Sequence, residues 1–165
     1  MSPSAFRMRL ARPDDARAIG ILIRRVTHRW ILPDQSRRAG LALLSRLSAK
    51  ALREKIIEGQ RFHLGYLGDA LVCVAAMRDD AHLTQFFVST RYQGRGLARR
   101  LWLRTMRDAI RRAGTRRFTL NATRCAVPIY LHLGFRVMGP ERLSPNGLMT
   151  TPMEMVLPKP RRKRA

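Results

Sequence analysis

Between Phe86 and Ala98 an apolar run, Phe86-Phe87-Val88, passes through the loop Ser89-Thr90-Arg91-Tyr92 into Gln93-Gly94-Arg95-Gly96-Leu97-Ala98. A long helical pattern over residues 97–113 follows, with Leu101, Trp102, Met106 and Ala109 on one face and Gly114 closing it. A strand that turns through glycines into a helix builds an anion cradle. The first turn of a helix has unpaired N–H groups and partial positive charge, and glycine lets the backbone approach a phosphate closely. Two common phosphate-binding designs fit poorly. A nucleoside-triphosphate loop needs GxxxxGK[ST], which is missing, and a dinucleotide fingerprint needs glycine where Arg99 stands. It also needs an acidic residue about 20 positions on, where the chain has Thr115-Arg116-Arg117; those arginines leave an NADP variant open.

The segments around the cradle predict an α/β domain. Phe6–Leu10 alternates as a strand does, and Pro13-Asp14-Asp15 opens a helix with the apolar stripe Ile19, Leu22, Ile23, Val26. Residues 28–40 read as irregular, and a second helix is expected over 47–57, ended by Gly59. Three strands follow, over 62–67, 70–77 and 81–88, joined by the turns Gly68-Asp69 and Arg78-Asp79-Asp80. After the long helix come a strand at 118–120, a short helix from Pro128 to Gly134, and two strands at 135–138 and 153–157. The order β-α-α-β-β-β-α-β-α-β-β means a mixed sheet with helices packed on it. One domain is expected over residues 1–157, followed by a basic tail, 158–165, with the composition of a disordered segment.

The 165 residues carry a formal charge of +22, nearly all from arginine. An excess of that size attracts polyanions and suits a polyphosphate cofactor, although arginine-rich composition also follows from GC-rich coding. Arg100, Arg104, Arg107 and Arg111 form a stripe at helical spacing. Cys73 and Cys125 have no CxxC partner and no metal-ligand spacing, so reduced thiols and no metal are expected. No apolar run has the length of a membrane span and no secretory pattern opens the chain at Ser2-Pro3-Ser4, which makes the cytoplasm the expected location.

The glycine segment resembles the (R/Q)-x-x-G-x-(G/A) signature of the GNAT superfamily of acyl-CoA-dependent N-acyltransferases. The resemblance extends to His82-Leu83-Thr84-Gln85-Phe86-Phe87-Val88, which is similar to that family's fourth strand, and to Asn121-Ala122-Thr123, Ala126-Val127-Pro128-Ile129-Tyr130 and Leu133-Gly134-Phe135, similar to its NAS…AVPFYxxLGF block. The ordered set covers roughly residues 6–157 and implies the GNAT fold, a mostly antiparallel mixed sheet flanked by helices. It implies acetyl-CoA as donor, with the amides of Gln93, Gly94, Arg95, Gly96, Leu97 and Ala98 on its pyrophosphate. Phe87, Val88 and Asn121 would contact the pantetheine arm, with a bulge near Phe87 and Val88 freeing their backbone. Tyr130 would be the general acid.

Many relatives have a glutamate base on the fourth strand, and this chain has none there. His82 is one candidate base; a water positioned by Gln85, or an acceptor that binds as the neutral amine, is another. His28, Trp30 and the 31–40 loop are expected to wall the acceptor, an amine-bearing small molecule or protein. So basic a surface disfavours polyamines and aminoglycosides, unless Glu54, Glu58, Asp79 and Asp80 build an acidic pocket. A homodimer is compatible with the resemblance. The competing reading is a nucleic-acid- or ribosome-associated protein on the same scaffold, with or without acetylation of a ribosomal or nucleoid protein.

Overall fold

A computed structural model describes residues 5–162. Eight strands form a sheet in the order β1-β2-β3-β4-β5-β8-β6, with β7 pairing β8 off that path. They are β1 (Phe6–Leu10), β2 (Arg61–Leu67), β3 (Ala70–Arg78), β4 (His82–Val88), β5 (Arg117–Ala122), β6 (Arg136–Val137), β7 (Arg142–Leu143) and β8 (Met149–Val156). Every pairing is antiparallel except β4 with β5. The helices are α1 (Ala16–Val26), α2 (Arg37–Arg46), α3 (Ala49–Ile57), α4 (Leu97–Ala113) and α5 (Val127–Leu133).

Strand alternation divides the core between the two faces of the sheet. One face gathers Val72, Cys73, Ala75, Leu83, Leu120 and Ala122 under Leu101, Trp102 and Ala109 of α4 and Tyr130 of α5. The other gathers Phe62, Leu64, Val74 and Ala76 under Ile19, Leu22, Ile23 and Val26 of α1 and Leu52 of α3. Trp102 fixes the first face, edge-on to Phe118 at 5.3 Å and against Phe135 at 5.0 Å. Cys73 is fully buried there, and burial pushes its thiol up to about 12, so it acts as a small apolar residue.

The helical layer departs from the sequence reading. Residues 28–40 are largely helical: α1 widens into a π turn over Thr27–Ile31, a short helical turn covers Leu32–Asp34, and α2 begins at Arg37. The expected helix over 47–57 starts later, at Ala49. Ser36 and Ser48 explain both starts, since each hydroxyl accepts the backbone N–H three residues on, from Ala39 and Ala51, at 3.1 Å. At the C-terminus β8 starts at Met149, four residues before the expected strand, because it has β5, β6 and β7 to pair with. The last three tail residues, 163–165, and Ser2-Pro3-Ser4 lie outside the described residues. Among the described residues no helix is long and apolar enough to cross a membrane.

Candidate active site

The sheet opens where β4 and β5 part. They share the register pairs His82↔Thr119 and Leu83↔Leu120 and then diverge, β4 staying on β3 and β5 staying on β8 as far as Ala122↔Thr151. A bulge sits where the split begins: Met77 pairs Leu83 but Ala76 pairs Gln85, so Thr84 is the extra residue. The Thr84 hydroxyl donates to the Ala76 carbonyl at 3.1 Å and accepts from Gln60 Nε2 at 2.8 Å. The irregularity expected near Phe87 and Val88 therefore lies earlier in the strand. Those two residues pair regularly with Val74 and Cys73.

Beyond the open end of β4 the chain makes one helical turn at Thr90–Tyr92 and reaches the glycines. Gly94 and Gly96 have φ of 79° and 74°, a left-handed conformation that other residues adopt only with strain. A Cβ at either position would meet nothing within 4 Å, so backbone conformation, not crowding, selects glycine there. Gly96 is the N-cap of α4, and its carbonyl takes the Arg100 amide at 3.3 Å. The amides of Gly94, Arg95, Gly96, Leu97, Ala98 and Arg99 have no backbone acceptor among the described residues. A row of N–H groups at the positive end of a long helix is what a diphosphate requires. Arg91, Arg95, Arg99 and Arg100 stand exposed around it, with Arg95 lying 5.3 Å from the Tyr92 ring. Gln93 folds back onto the strand, its Nε2 donating to the Val88 carbonyl at 3.1 Å.

Tyr130 lies across the split on the α4 face, 8% exposed, with its ring 5.8 Å from Phe86 and 5.8 Å from Phe135. Pro128 in the first turn of α5 and Gly134 at its left-handed end fix this short helix. Burial, then the nearby Cys125 thiol, holds the phenol well above the ordinary tyrosine range, so it is protonated at neutral pH.

The α1 face of the split carries the other predicted residues. Gln85 and Phe87 point there with Ala76 and Val74, their β3 partners. Asn121 is exposed at the open end of β5, between the inward-facing Leu120 and Ala122. The π turn carries His28 and Trp30, and Trp30 Nε1 donates to Thr90 Oγ1 at 3.1 Å. That bond ties the end of α1 to the segment leading into the cradle. Arg29 stacks over the Trp30 ring at 4.3 Å.

His82 stands apart. It sits at the closed end of the split, Nδ1 against Thr119 Oγ1 at 2.8 Å, and three residues of strand, about 10 Å, separate it from Gln85. Burial and the charge of Arg78 hold its imidazole below the ordinary value.

Two side chains not singled out in the sequence reading staple the rim. Arg124, just past β5, bonds Glu141 at 2.6 and 3.2 Å and lies 3.5 Å from Asp34, joining the α1–α2 connection to the segment before β7. Gln35 spans to Met149, accepting its N–H at 2.8 Å and donating to its carbonyl at 3.3 Å. Sequence separations of 17 to 114 residues hide these ties from local patterns. The acids considered for an acceptor pocket do not converge: Asp79 and Asp80 sit in the β3–β4 turn facing Arg78 and Arg112, while Glu54 and Glu58 belong to α3 and its cap. Among the described residues no cluster of His, Cys, Asp or Glu has the makings of a metal site.

The family model for the acetyltransferase (GNAT) domain matches residues 31–157. This chain belongs to the GNAT acetyltransferase family. Its fold is shared with solved structures of low identity. A GCN5-related N-acetyltransferase from Rhodopseudomonas palustris superposes with a TM-score of 0.77 at 18% identity, over 95% of this chain and 99% of that one. The PaiA N-acetyltransferase of Thermoplasma acidophilum, solved in complex with coenzyme A, gives 0.76 at 13%, over 92% and 99%. YncA of Salmonella typhimurium, a putative acetyltransferase solved with acetyl-CoA, gives 0.64 at 18%, over 98% and 99%. No curated protein matches the sequence. In this GNAT domain the open end of β4 leads into the cradle, and Tyr130 is buried against Phe86 of the same strand.

Proposed function

We propose that this domain transfers an acetyl group from acetyl-CoA to a primary amine. The observation that carries the reading is the run of six backbone amides, Gly94 to Arg99, left without backbone acceptors at the N-terminus of α4 beside a split in the sheet. The residues present fit the donor. The amides and the exposed arginines match a pyrophosphate, and the parted edges of β4 and β5 leave room for an extended arm. Bound acetyl-CoA supplies an activated thioester carbonyl and a thiol leaving group.

Tyr130 approaches the split from the α4 face, the acceptor from the α1 face, past Gln85, His28 and Trp30, with Asn121 beside the pantetheine arm. A thiolate leaving with a pKa near ~8.5 gains its proton from the phenol Oη of Tyr130, which burial keeps protonated. The acceptor attacks as the free amine, with Gln85 holding a water that takes up its proton, because β4 presents no carboxylate at the split and His82 lies at the closed end. The neutral Gln85 fits an acceptor whose own pKa governs the reaction.

The test is calorimetric titration with acetyl-CoA, with NADPH as competitor, followed by turnover with a panel of amines. Micromolar binding of acetyl-CoA, unaffected by NADPH, together with release of coenzyme A on adding an amine, is expected. Tight NADPH binding without acetyl-CoA binding overturns the reading.

A further inference from the structure

We propose that the outer face of α4 is a docking surface for the phosphate backbone of nucleic acid, separate from the acetyl-transfer site. Arg100, Arg104, Arg107 and Arg111 recur at helical spacing and are all exposed; Arg100 borders the cradle, and Arg104, Arg107 and Arg111 continue away from it as a ridge about 10 Å long. The single carboxylate of this helix, Asp108, does not neutralise the ridge. Its side chain is 7% exposed and already engaged from below, by Arg61 Nε at 2.8 Å, Arg61 Nη2 at 2.9 Å and His63 Nε2 at 3.3 Å. Arg111 reaches it only at 3.8 Å. Arg104 and Arg107 have no carboxylate within 4 Å among the described residues. Arg61 and Asp108 cancel, and the ridge keeps its charge.

The chemistry of the face selects the partner. Arg104, Arg107 and Arg111 border a notch of about 310 Å³ with Asp108 at its floor. None of the exposed large apolar residues belongs to α4: Ile21 is on α1, Leu41 on α2, and Ile129 and Leu131 on α5. Insertion into a lipid surface needs an apolar side on the same helix, and a stable protein interface needs an apolar centre. A convex row of guanidinium groups without either matches a polyphosphate strand, which arginine recognises by paired N–H donors. The net charge of +22 adds long-range attraction to such a partner.

The experiment is fluorescence anisotropy of the full chain with labelled DNA and RNA duplexes of about 20 base pairs, between about 50 and 200 mM salt, with and without saturating acetyl-CoA. A polyglutamate peptide serves as the non-phosphate polyanion. Binding should weaken steeply with salt and survive saturation with acetyl-CoA. The combined variant Arg104→Gln, Arg107→Gln, Arg111→Gln should lower the logarithmic salt slope by roughly 2 to 3 and weaken binding at low salt by about tenfold or more. Acetyl-CoA binding by the variant should be unchanged, which shows that its fold is intact. Displacement of the duplexes by acetyl-CoA would mean that they occupy the cradle. That outcome overturns the proposal, as does an unaltered salt slope in the variant or preferential binding of polyglutamate. A preference between the DNA and RNA duplexes identifies the natural form of a backbone partner.

Discussion

Tyr130 of α5 and Phe86 of β4 lie with ring centroids 5.8 Å apart and planes tilted by 50°. The phenol thus rests against the part of β4 that β5 has already left, because the two strands pair only at His82 and Leu83. A buried phenol thereby packs against the stretch of β4 that borders the gap in the sheet.

Tyr130→Phe separates chemistry from packing. The ring contacts with Phe86 and Phe135 remain, so thermal stability should change little. Steady-state kinetics should show kcat lowered by about 10²-fold or more with acetyl-CoA binding nearly unchanged. Undiminished kcat removes Tyr130 from proton transfer.

Gly96→Glu tests the cradle. The substituted carbon enters open space, so no neighbour is displaced, and the φ of 74° costs roughly 1–2 kcal/mol. The carboxylate stands at the helix N-terminus where the pyrophosphate is expected. Calorimetry should show acetyl-CoA binding lost while circular dichroism still reports a folded domain. Retained micromolar affinity in the variant would place the cofactor elsewhere.

These outcomes concern the part of the molecule most legible in the sequence. Gly94 and Gly96 follow an apolar strand and open a 17-residue helix, and each of those signals is local. The succession of β1 to β6 and β8 along the chain was equally readable from alternation and turn residues, whereas the two-residue β7 was not expected. The chain between α1 and α3 was not. Ser36 and Ser48 are visible as caps only once α2 and α3 are known to begin at Arg37 and Ala49. The π turn at Thr27–Ile31 is held by the contact of Trp30 with Thr90, 60 positions on, and no periodicity announces it. Asp108 resembles any polar residue on the outer side of α4. Its burial follows from Arg61, 47 positions away, and from His63 beside it on β2. His82 shows the converse limit: its residue type suits a base, but strand register decides which end of the split it occupies.

Trp30 should report cofactor binding. Its indole N–H bonds Thr90, two positions beyond β4 and four before Gly94, whereas Trp102 is 2% exposed in the core. Titration with acetyl-CoA should therefore alter tryptophan emission, and the change should vanish in Trp30→Phe while calorimetric binding persists. An equal response in that variant would assign the signal to Trp102 and dissociate the π turn from the cradle.

His63 gives the domain an acid-sensitive core. It is 4% exposed, and burial holds its imidazole below the ordinary value despite Asp108 Oδ2 at 3.3 Å, with the charges of Arg61 and Arg104 acting in the same direction as burial. The folded protein thus prefers it neutral, whereas the unfolded chain takes up a proton near pH ~6.5. Its contribution is complete above that value and is lost as pH falls from there toward the lower folded value, at up to about 1.4 kcal/mol per pH unit. Asp108 follows at lower pH. Burial raises its pKa, but the Arg61 hydrogen bonds and the charges of His63, Arg61 and Arg112 outweigh that and hold it lowered. Its contribution is present above the unfolded carboxylate value near ~3.9 and disappears as pH falls through the lower folded value. Melting temperature measured from pH ~8 to ~4 should decline first below about 6.5. His63→Gln should flatten that first decline, leaving the smaller slope of the half-buried His82, whose imidazole is also held low. The same acid slope in wild type and variant would mean that His63 takes up its proton as readily in the folded protein as in the unfolded chain.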